Sequence, residues 1–66
     1  MTIKLNGQTH TLHSAITITE LLSSLGLAEK PVVVELNQNA ILPRLFAETF
    51  IHPNDQIEIV ILAAGG

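Results

Sequence analysis

The chain contains no cysteine, tryptophan or tyrosine, and its only aromatics are Phe46 and Phe50. Without cysteine there are no disulfides, thiolate metal sites or thiol nucleophile. The basic side chains are limited to Lys4, Lys30 and Arg44, too few to follow a phosphate backbone, so no nucleic-acid partner is expected. The longest apolar run, Ile59 to Ala64, falls far short of the roughly 20 residues of a membrane-spanning helix. Met1 leads at once into alternating residues rather than a basic segment and an apolar stretch, so no signal peptide or membrane association is expected. A cytoplasmic protein follows from these absences.

What remains is aliphatic. Of the 66 residues 47% are hydrophobic, at a net charge of -3. A chain of this size holds one domain and must rely on dense packing.

Thr2 to Leu5 alternates polar and apolar residues, and Asn6-Gly7 supplies the positive φ angles of a two-residue hairpin turn. That turn sets Leu5 opposite Gln8, Lys4 opposite Thr9, Ile3 opposite His10 and Met1 opposite Leu12. The spacing predicts strand, turn and strand over residues 2–13. The period then changes. Ile18, Leu21, Leu22 and Leu25 form one helical stripe. Thr17 and Glu20 stand as a capping box at its start, and Gly26 is placed for the left-handed residue at its end. Alternation returns in Val32–Asn37. Asn37-Gln38-Asn39 reads as a turn and Ala40–Leu42 as a short strand. An irregular segment to Phe50 includes one helical turn expected at Leu45–Ala47. Pro53-Asn54-Asp55 is a further turn, and Gln56–Leu62 the last strand. One short helix covers only one sheet face, so the fold class is α+β, a mixed sheet of four to five strands packed on one main helix, with its first and last strands parallel. Residues 1–62 form the domain and residues 63–66 a flexible C-terminal tail.

Side-chain chemistry is sparse. His10 and His13 are expected on opposite strand faces, out of reach of one metal ion, and His52 lies in a loop before a proline. No metal site is expected, and no role is assigned to the three histidines. No carboxylate pair, phosphate loop or nucleophile elbow is present, so the chain is not expected to be an enzyme. Two features remain. If Ile57, Ile59 and Ile61 face the helix, then Val60, Leu62 and the neighbouring Val33 form an apolar patch on the open face. The second is the tail. Ala64, Gly65 and Gly66 fall in side-chain size, and two glycines can thread a narrow channel in extended form and present a carboxylate inside another active site. The same composition also fits a plain disordered end.

Together these segments resemble the β-grasp, ubiquitin-like superfamily, and within it the ThiS family of sulfur carriers in thiamine biosynthesis. The resemblance is carried by Ile3–Gly7, Thr17–Leu22, Val32–Asn37, Leu42-Pro43-Arg44, Asp55–Val60 and Ala64-Gly65-Gly66. It implies that an E1-like, ThiF-type adenylyltransferase uses ATP to activate the Gly66 carboxylate. Sulfur relayed from a cysteine desulfurase then leaves a thiocarboxylate, which a ThiG-type thiazole synthase consumes. No intrinsic cofactor is implied. Ala64 and Gly65 would thread the partner's channel, and Val33, Val60 and Leu62 would dock both enzymes. Phe46 would stand in for a tryptophan that family members often carry after Pro-Arg, where this chain is shorter. Two other readings share the tail. One is a molybdopterin-type sulfur carrier. The other is a ubiquitin-like modifier or binding module that conjugates through Gly-Gly.

Overall fold

The computed structural model describes residues 1–63. Strands β1 (Thr2–Leu5) and β2 (Gln8–Thr11) form the hairpin, in the register that the Asn6-Gly7 turn dictates. Both turn residues have positive φ, at 49° and 81°. Helix α1 covers Ile18–Ser24, and its capping box is complete. Glu20 N–H donates to Thr17 Oγ1 at 3.1 Å, and Thr17 N–H donates to Glu20 Oε1 at 2.8 Å. At the other end Gly26 takes φ 75°. Leu27 N–H donates to the Leu22 carbonyl at 2.8 Å, and Gly26 N–H to that of Ser23 at 3.1 Å, which satisfies the last carbonyls of the helix.

Strand β3 (Val32–Leu36) pairs antiparallel with β4 (Asn39–Ile41) and with β5 (Gln56–Ile61). Strand β5 also lies parallel to β1, so the sheet order is β2-β1-β5-β3-β4. The chain ends of the sheet thus meet at its centre. Helix α1 buries Ile18, Leu21 and Leu22 against Ile3, Leu12, Val34, Ile57 and Ile59. Each fully buried aliphatic side chain contributes about 1.5–3 kcal/mol, the main source of stability here. No helix among the described residues is long and apolar enough to cross a membrane.

Several expectations shift. The turn before β4 is only two residues, Asn37 and Gln38, both at positive φ (51° and 71°), so β4 starts one residue early. The helical turn forms at Pro43–Leu45 rather than Leu45–Ala47, because proline presets the φ of a first helical position. The segment after it is not loose. Ile51 is fully buried, its N–H donates to the Ile16 carbonyl at 2.8 Å, and Ile18 N–H donates to that of Thr49 at 3.0 Å. Ile61, expected to face the helix with Ile57 and Ile59, shares the helix-side face with Val32, yet it is 54% exposed. Seven helical residues reach only about 10 Å, against roughly 20 Å for the six of β5.

Candidate functional site

Strand β5 runs almost to the end of the described residues, and exposed aliphatic side chains gather on it. Val33 and Val60 stand directly opposite each other on the outer face, at 42% and 58% exposure. Leu42 joins them. It follows β4, where Val34 pairs with Ile41, so the register continued by one residue sets Leu42 opposite Val33. Leu42 is also half exposed, which makes an open row of three aliphatic side chains. In the sequence Leu42 is marked only as the end of a short strand, and nothing local shows which face it joins. The next row holds Glu58 opposite Glu35 and Glu35 opposite Ala40. The outer face is therefore apolar towards the tail and acidic behind it, a surface suited to a protein partner.

Leu62 and Phe46 are placed differently from Val33 and Val60. Both border a hollow of about 400 Å³ on the helix side, with Leu22, Leu27, Val32 and Pro43 as neighbours and Lys30 at its edge. Leu62 is half exposed and its N–H donates to the Pro31 carbonyl at 2.9 Å. Apolar surface thus flanks the tail root on both sides of the sheet. Ala64, Gly65 and Gly66, expected to thread a partner and to hold the cargo, lie outside the described residues.

The histidines settle into two places. His10 and His13 both border a hollow of about 420 Å³ with Leu12, Ile16 and Leu25. Strand β2 ends at Thr11 and the chain bends at His13-Ser14, which ends the alternation. Among the described residues no group of three or more His, Asp or Glu side chains could hold a metal ion. His52 closes the Pro53–Asp55 turn: its N–H donates to Asp55 Oδ2 at 2.8 Å, and Asp55 Oδ1 accepts from Asn37 Nδ2 at 3.0 Å.

A five-stranded mixed sheet wrapped on one capped helix, with a central β5 leading to the tail, defines a β-grasp protein. The chain belongs to the ThiS family, whose model matches residues 3–66. Its fold is that of the crystal structure of the thiamine biosynthesis protein ThiS from Geobacter metallireducens, with 32% identity, a TM-score of 0.85 and full coverage of both chains. A thiazole synthase of Magnetococcus marinus is 35% identical over all 66 residues, which span only 20% of that protein's length. An uncharacterized protein, ycf40, of Porphyra purpurea is 27% identical across this whole chain and 93% of its own.

Proposed function

We propose that the chain is the sulfur carrier of thiazole formation in thiamine biosynthesis, and that the Gly66 carboxyl carbon is its working atom. The observation that supports this reading best is the ThiS family match, which runs through Gly65-Gly66. A carboxylate is a poor electrophile. Its oxygen first attacks the α-phosphate of ATP on an E1-like adenylyltransferase, releasing pyrophosphate and leaving an acyl-adenylate. The outer sulfur of a persulfide made by a cysteine desulfurase then displaces AMP, and a thiol reductant cleaves the S–S bond of the acyl disulfide, leaving a thiocarboxylate that is passed to thiazole synthase. The chain is a co-substrate in this scheme, with no cofactor of its own, working in the cytoplasm. The likeness of the chain to part of a thiazole synthase supports that enzyme as the acceptor, ahead of a molybdopterin or conjugation system. The row of Val33, Val60 and Leu42 and the apolar edge formed by Leu62 and Phe46 would seat the two enzymes in turn.

Intact mass tests the scheme. Incubation with adenylyltransferase, ATP, desulfurase, cysteine and a thiol reductant is expected to raise the mass by one exchange of oxygen for sulfur. A chain lacking Gly66 is expected to gain none and to fail to restore growth without thiamine in a strain lacking the carrier. Stable conjugates to other proteins in place of the mass gain would sink the carrier reading.

A further inference from the structure

Backbone hydrogen bonds show which way each β5 residue turns its N–H and C=O. Asn37 N–H donates to the Gln56 carbonyl at 2.8 Å, and Leu62 N–H donates to the Pro31 carbonyl at 2.9 Å. With Val33 opposite Val60 and Glu35 opposite Glu58, residues 56, 58, 60 and 62 are the ones bonded towards β3. The residues between them turn to β1. Lys4 N–H donates to the Asp55 carbonyl at 2.9 Å, and Asn6 N–H to the Ile57 carbonyl at 2.8 Å. Ile59 comes next, but β1 has already ended at Leu5. The Asn6 side chain takes the place of the missing strand: its Oδ1 accepts from Ile59 N–H at 2.7 Å and its Nδ2 donates to the Ile59 carbonyl at 3.3 Å.

Beyond that clamp β5 runs on to Ile61. Its N–H and C=O point to the side where β1 would be, and they have no backbone partner among the described residues. An open slot thus lies beside the central strand, at the root of the tail. Ile61 and Val60 flank it, both more than half exposed. A donor and acceptor on one residue of an open edge can be met by an amide side chain, as Asn6 meets those of Ile59, or by a main chain in extended form, and only a main chain adds a strand to the sheet.

We propose that this slot receives an extended strand of thiazole synthase, which adds to the sheet at Ile61 and fixes the direction in which the tail leaves β5. The proposal rests on the carrier reading, in which that enzyme must hold the tail in register.

Ile61→Pro removes the N–H that faces the slot and leaves the bonds to β3 untouched. Its melting temperature is expected to stay close to that of the wild type, while affinity for the source organism's thiazole synthase falls about tenfold. Ile61→Ala keeps the N–H and is expected to bind within about threefold of wild type, as a lone half-exposed side chain should. Equal binding by Ile61→Pro and wild type, an equal loss in both variants, or no binding by wild type overturns the proposal. Amide exchange on the unaltered chain gives a second readout should the proline variant unfold. In the free chain the Ile61 amide is expected to exchange fast while Val60 and Leu62 are protected, and thiazole synthase should slow it about tenfold or more. An Ile61 amide equally fast in the complex also overturns it. A carrier that still gains sulfur in the mass assay, with Ile61 unprotected, separates failure of this inference from failure of the carrier reading.

Discussion

Asn6 joins the first turn of the chain to its last strand. Its positive φ of 49° serves the hairpin, and its amide binds both backbone groups of Ile59. The two roles separate by mutation. Asn6→Gly keeps the turn geometry and loses the clamp, so urea unfolding is expected to show a loss of about 1–2 kcal/mol. Asn6→Ala loses the clamp and also strains the left-handed position, for about 1 kcal/mol more. A neutral Asn6→Gly would mean that water replaces the clamp at no cost. Only half of this residue was legible in the sequence. Asn-Gly announces a turn through local backbone preference, whereas its second partner is 53 residues away and only the closed sheet brings it near. Asn37 is a parallel case: its side chain accepts from Gln56 N–H at 2.9 Å, where the sequence showed only a turn.

Helix α1 is too short to persist alone and depends on its ends and its buried stripe. Thr17→Ala removes the hydroxyl that accepts from Glu20 N–H and is expected to lower stability by about 1 kcal/mol in thermal or urea unfolding. The opposite sign is expected in the β3–β4 turn. Gln38 sits at φ 71°, so Gln38→Gly, which recreates the Asn-Gly of the first hairpin, should raise stability by about 0.5–1 kcal/mol. A fall in the unfolding midpoint would show that the Gln38 side chain has a favourable contact which outweighs the strain. Elements such as α1 and the β1–β2 hairpin were readable because their signals are local and periodic. Residues 43–51 carry no period. Their order comes from Pro43 and from backbone bonds to Ile16 and Ile18 across the molecule, so the burial of Ile51 had no signature in its neighbours.

At the scale of the whole molecule, the core lies on one face of the sheet and the exposed aliphatic row proposed for docking on the other, and this separation is testable. Ile51 and Val60 are both aliphatic, but Ile51 is fully buried while Val60 is 58% exposed on the outer face opposite Val33. Ile51→Ala leaves a hole in the core and is expected to cost about 2–5 kcal/mol, enough to threaten a domain of this size. Val60→Asp removes little from the core, and the poorer strand propensity of aspartate sets its cost near about 1 kcal/mol. It does, however, place a third carboxylate beside Glu35 and Glu58 and interrupts the apolar row at its middle. The expected result is a chain that melts nearly as wild type does but forms thiocarboxylate at least about tenfold more slowly at limiting adenylyltransferase, with the rate recovering as enzyme is raised. Recovery at high enzyme marks a docking defect, since a misfolded or tail-damaged carrier would stay inert at any concentration. A Val60→Asp chain as fast as wild type at limiting enzyme would move the docking surface off the outer face, leaving the helix-side hollow of Leu22, Phe46 and Leu62 as the ground on which the activating enzyme lands.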